Sequence, residues 1–117
     1  MSNARSISTH VLDVARGRPA AGVPVSLALR GEGDTWREIG RKATDDDGRL
    51  RDLVPDGTPL VEGTYRLVFN TASYFRSQKV EGFYPEVAVV FTVREATQHH
   101  HVPLLLSPYG YSTYRGS

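Results

Sequence analysis

At 117 residues the chain has material for one domain, taken as residues 1–117, and a chain this long buries roughly two-thirds of its unfolded surface around a single core. Its 14 basic and 13 acidic residues leave a net charge of +1, and it has no cysteine. That composition excludes disulfide staples and thiolate chemistry and offers no basic field to attract nucleic acid or an anionic membrane.

Branched residues dominate positions 7–14, which predicts a strand ending at the turn Arg16-Gly17-Arg18-Pro19. Val23, Val25, Leu27 and Leu29 then alternate with Pro24, Ser26, Ala28 and Arg30, the period of a half-buried strand. A third strand over 36–44 closes at Asp45-Asp46-Asp47-Gly48, and a short fourth over 50–53 leads into the loop 55–59. The fifth, 64–69, puts Tyr65, Leu67 and Phe69 on one face. Asn70 follows as a helix N-cap, with apolar Ala72 and Phe75 beyond it, predicting one short helix within 70–79. Runs at 87–93, 99–106 and 109–114 complete the set. Seven or eight short strands at this spacing predict an all-β antiparallel sandwich or barrel.

The apolar run 87–91 is too short to span a bilayer, and residues 1–6 lack the apolar core of a secretory signal. A cytoplasmic protein is the expectation.

Proton chemistry near neutral pH points first to His10, His99, His100 and His101. Successive strand side chains alternate faces, so His99 and His101 share one face and His100 points the other way. Two imidazoles on one face are half a zinc site, and no carboxylate stands at an evident ligand spacing. No metal or cofactor is therefore expected. The three histidines run directly into Val102-Pro103-Leu104-Leu105-Leu106, so they are interior rather than a terminal tag.

The same parity puts His10 with Ser8 and Leu12, His101 with Pro103 and Leu105, and Tyr114 with Ser112. Both faces of these strands are fairly apolar, whereas an outer sandwich face should be polar. Either a second subunit covers them or the histidines are solvated strand residues. Asp13 has the opposite parity to His10 and reads as a strand-end residue. Arg49, just past the acidic turn, balances local charge unless a partner anion recruits it. No Gly-x-Ser-x-Gly elbow is present. Enzymatic chemistry here would use water as nucleophile and histidine as base.

Ser8-Thr9-His10-Val11-Leu12-Asp13 followed by Gly17-Arg18-Pro19-Ala20 resembles the opening signature of the transthyretin-like family. Thr44-Asp45-Asp46-Asp47-Gly48-Arg49 resembles its central turn, and Tyr65-Arg66-Leu67-Val68-Phe69 and Phe83-Tyr84-Pro85-Glu86-Val87 resemble later strands. The stretch from His101 through Pro108 to the terminal Tyr114-Arg115-Gly116-Ser117 is the strongest match, and that tetrapeptide marks the hydrolase branch rather than the thyroid-hormone carriers.

The resemblance implies two four-stranded antiparallel sheets, one short helix after the fifth strand, and a homotetramer with sites where dimers meet. It implies catalytic roles for His10, Arg49, His101 and Ser117, and substrate contacts from His10, Arg49 and Tyr114, with His99 in support. The implied reaction is hydrolysis of 5-hydroxyisourate in urate catabolism, giving 2-oxo-4-hydroxy-4-carboxy-5-ureidoimidazoline through histidine-activated water. The carriers are expected to have lysine, glutamate and threonine at positions 10, 49 and 101. One departure stands out: the family commonly has His-Tyr-His where this chain has His99-His100-His101, and parity places His100 away from the site.

Overall fold

The computed structural model describes residues 6–117. Among the described residues, nine strands and one α-helix follow in chain order: β1 (Ile7–Asp13), β2 (Arg18–Pro19), β3 (Pro24–Arg30), β4 (Trp36–Ala43), β5 (Arg49–Leu50), β6 (Gly63–Phe69), α1 (Thr71–Ser77), β7 (Val87–Val93), β8 (His100–Ser107) and β9 (Gly110–Thr113). One sheet has the order β4-β3-β6-β7, with every pair antiparallel. In the other, β8 lies between β1 and β9.

The free edge of β1 is shared by two fragments. β2 pairs with Leu12 and Asp13, and β5 pairs with Thr9 and His10. The second sheet is therefore effectively four strands wide, and the sandwich matches the architecture that the resemblance implied. One pair departs from the antiparallel expectation: β1 and β8 run parallel over the whole of β1. No hairpin joins them, because most of the chain lies between, so nothing forces the antiparallel arrangement.

Alternation builds the core as expected. Tyr65, Leu67 and Phe69 of β6 are fully buried against Val25 and Leu27 of β3 and against Val11, Leu104 and Leu106 of the facing sheet. The Tyr65 hydroxyl, carried into this apolar layer, donates to the Val61 carbonyl at 2.7 Å, which satisfies it. The fourth predicted strand shrinks to Arg49–Leu50. Beyond Leu50 the chain leaves β1 and presses Leu53 onto Gly40 of β4, where a Cβ would overlap the Leu53 carbonyl.

Helix α1 begins as its cap predicts, with the Asn70 side chain accepting from the Ser73 N–H at 3.0 Å. It buries Thr71, Tyr74 and Phe75. The Tyr74 hydroxyl donates to Asp13 Oδ2 at 2.7 Å, while Asp13 Oδ1 accepts from the Arg16 N–H at 3.0 Å. Asp13 is thus the buried end of β1, tying helix to sheet. Desolvation and then the Asp13 carboxylate push the Tyr74 phenol well above its usual range, so it stays a donor.

Candidate active site

The parallel register sets the site. Ser8 lies opposite His101, His10 opposite Pro103, and Leu12 opposite Leu105. Side chains at paired positions share a face, so two half-exposed histidines, His10 and His101, stand on the outer surface of this sheet.

The acidic turn delivers the guanidinium. Asp45 Oδ1 accepts the N–H groups of Asp47 and Arg49, each at 2.9 Å, the side-chain turn that aspartate favours. These bonds, led by the one from Arg49, hold the Asp45 carboxyl below the usual carboxylate range. Gly48 has a positive φ of 75°, which glycine adopts without strain, and its carbonyl accepts from the Val11 N–H at 2.7 Å. Arg49 thereby pairs directly with His10.

The chain end closes the arrangement. Gly116 donates its N–H to the His101 carbonyl at 2.8 Å, folding the last residues back along β8. A Cβ at Gly116 would stand 2.6 Å from the His101 ring, so only glycine allows this approach. A cleft of about 240 Å³ results, lined chiefly by Ser8, Arg49, Arg51, His99, His101 and Ser117.

Within it the serine hydroxyls and imidazoles form a row. Ser6 Oγ is 2.8 Å from His99 Nδ1, Ser8 Oγ is 2.7 Å from His99 Nε2, and the same Ser8 Oγ is 2.7 Å from His101 Nδ1. Burial lowers the His101 pKa from its ordinary value, and the nearby His99, His10, Arg49 and Arg51 charges lower it further. A neutral imidazole beside a guanidinium can take a proton while the cation stabilises a developing oxyanion. Among the described residues, no three His, Cys, Asp or Glu side chains gather as a metal-ligating group.

Of the residues singled out from sequence, Arg49, His99, His101 and Ser117 line this cleft, and His10 borders it through its pairing with Arg49. Tyr114 does not reach it within one chain. It lines a separate depression with Phe91, His100 and Arg115, because the ladder of β9 ends at Thr113 and strand parity no longer governs the next residue. His100 is buried, 4% exposed, on the opposite face from His101, where parity put it. Ser8 and Arg51 were missed as site residues. Parity already placed Ser8 beside His10, but only the β1–β8 register brings it to His101.

A model of the HIUase/Transthyretin family matches residues 7–116. The chain belongs to this family. A relative named as a probable 5-hydroxyisourate hydrolase of Caenorhabditis elegans is 56% identical over 112 residues, 96% of this chain and 82% of the relative. Among solved structures, the 5-hydroxyisourate hydrolase of Klebsiella pneumoniae is 35% identical with a TM-score of 0.82, covering 96% of this chain and 93% of the other. Sea bream transthyretin in complex with thyroxine is 28% identical with a TM-score of 0.88, over 95% and 94% of the two chains. Hydrolase and carrier thus share this backbone about equally. Within the HIUase/Transthyretin family, side chains rather than fold must separate the two activities.

Proposed function

We propose that the protein hydrolyses 5-hydroxyisourate in urate catabolism, giving 2-oxo-4-hydroxy-4-carboxy-5-ureidoimidazoline without a metal. The observation that carries this reading is the convergence of His101, Arg49 and Ser117 on one cleft, with His10 paired to Arg49. The names of the relatives support the substrate. His101, kept neutral by burial, takes a proton from water as the oxygen attacks the lactam carbonyl. Arg49 offers a planar fork of donors to the oxyanion. Collapse breaks the ring C–N bond, and the leaving nitrogen takes up a proton. His10, paired to Arg49, supplies a second imidazole beside the cleft for proton transfer.

The carrier reading draws on the same fold, but an imidazole pair beside a guanidinium serves proton transfer rather than passive binding. We also propose a homotetramer, since His10, Leu12, His101 and Leu105 leave a partly exposed stripe of two imidazoles and two aliphatic side chains on the outer sheet face. Light scattering coupled to size exclusion checks it, the expected mass being four times the 12.9 kDa chain.

The deciding experiment follows the ultraviolet decay of freshly generated 5-hydroxyisourate with and without protein. Decay well above the spontaneous rate is expected. A rate equal to the blank overturns the reading.

A further inference from the structure

The Ser8 hydroxyl touches two imidazoles at once, and the hydrolytic step leaves this unexplained. Its Oγ is 2.7 Å from His101 Nδ1 and 2.7 Å from His99 Nε2. A hydroxyl has one proton to donate and two lone pairs that accept, so it can give to one ring while it accepts from the other. In that arrangement the direction of the one O–H sets the tautomer of both histidines together. When His101 carries its proton on Nδ1 and donates to Ser8, Ser8 donates to His99, and His101 Nε2 keeps its lone pair for the cleft. Reversal of both bonds makes His101 Nε2 a donor.

We infer that Ser8 and His99 form a proton outlet for His101, with Ser8 holding the His101 tautomer that accepts and His99 receiving the displaced charge at the exposed rim of the cleft. This rests on the hydrolytic reading above. Water gives a proton to His101 Nε2, making an imidazolium. The Nδ1 proton passes to Ser8 Oγ as the Ser8 proton passes to His99 Nε2. His101 is then neutral with a proton on Nε2, and His99 is the cation. No electrons are exchanged, and the same path run backwards returns the proton for the leaving nitrogen.

Burial makes the outlet useful. Ser8 is 4% exposed, so no bulk water takes its place, whereas His99 is exposed. His101 is faced by His10 on β1, Arg49 on β5, and Arg51 and His99 from the flanking segments. A cation on its ring would sit among two guanidiniums and two imidazoles, and moving that charge to His99 places it where solvent screens it. Ser6 Oγ, 2.8 Å from His99 Nδ1, orients the receiving ring.

The test compares Ser8→Ala, Ser8→Thr and His99→Phe with the wild-type chain. Losing the relay hydrogen bond in Ser8→Ala should lower kcat about tenfold or more while KM stays within about twofold. Ser8→Thr keeps the hydroxyl on a strand-compatible side chain and should restore most of the rate. The wild-type rate should fall along a bowed curve across mixtures of light and heavy water, and Ser8→Ala along a straight line. His99→Phe keeps a ring but removes the receiving nitrogen, and it should reproduce both effects if Ser8→Ala misfolds.

Wild-type kcat in Ser8→Ala, or Ser8→Thr as impaired as Ser8→Ala, overturns the relay. Nitrogen-15 NMR of the ring nitrogens in the free protein separates this from failure of the hydrolytic reading. The His101 tautomer should change in Ser8→Ala whether or not the wild type turns over 5-hydroxyisourate, and an unchanged tautomer overturns the inference by itself.

Discussion

Arg49 and His10 are direct partners across the β1–β5 pair, and that pair is only two residues long on the β5 side. The guanidinium is therefore placed by the turn before it rather than by a long ladder. Asp45 and Gly48 hold the turn, so an acidic run that reads as simple charge balance is the device that aims the cation.

Replacing Arg49 tests the placement. Arg49→Ala removes the donors facing the developing oxyanion, and loss of such a donor costs about 10²–10³ in kcat. Arg49→Lys keeps the charge but loses the planar fork, so it should recover only part of the rate. Steady-state kinetics on both variants checks this. Equal rates in Lys and wild type would reduce Arg49 to a point charge.

The histidines should behave differently from the arginine with pH. His10→Ala and His101→Ala should each lose about 10²–10⁴ in turnover with the circular dichroism spectrum retained. In the wild type, His101 acts as a base only when neutral. Its pKa is lowered by burial first and then by the surrounding His99, His10, Arg49 and Arg51. Activity should therefore persist below the ordinary histidine value of about 6.5, with the acid limb of kcat centred lower. A limb centred above that value would contradict the role.

What the sequence displayed and what it concealed divide along the range of the interactions. The Asn70 cap, the glycine at the acidic turn and the alternation of β6 are local, and each appears where the residues place it. Strand parity also sorted His100 from His101. The parallel neighbours β1 and β8 join residues 93 positions apart, and no local pattern encodes that register. Ser8 consequently looked like a bystander to His10 when its hydroxyl in fact bonds His101. Within one chain Tyr114 lies apart from the cleft, since the two-residue period was carried one step past the end of β9.

The bond from Tyr74 to Asp13 supports the fold without touching the cleft. Tyr74→Phe leaves a buried carboxylate oxygen short of a donor, and losing a hydrogen bond to a charged group costs about 1.5–3 kcal/mol. Urea unfolding should show that loss, and kcat should remain close to wild type. A large fall in kcat with unchanged stability would instead connect α1 to the chemistry.

His100 should give the protein an acid sensitivity of its own. Its ring is buried on the core side of β8, and Nδ1 has no hydrogen-bond partner among the described residues. Burial lowers its pKa first and the Arg115 charge adds to this, against a hydrogen bond that the ring donates to the Gln98 backbone. The folded state therefore binds a proton here less readily than the unfolded chain. The stability it contributes is complete above the unfolded value of about 6.5 and is lost as the pH falls below it. His101 acts in the same direction, so part of the acid loss remains when position 100 changes. His100→Tyr installs the residue common in the family, which does not ionise in that range. The drop in Tm between about pH 8 and about pH 5 should be smaller in the variant than in the wild type. An identical drop in both proteins would show that His100 is protonated as easily in the fold as outside it.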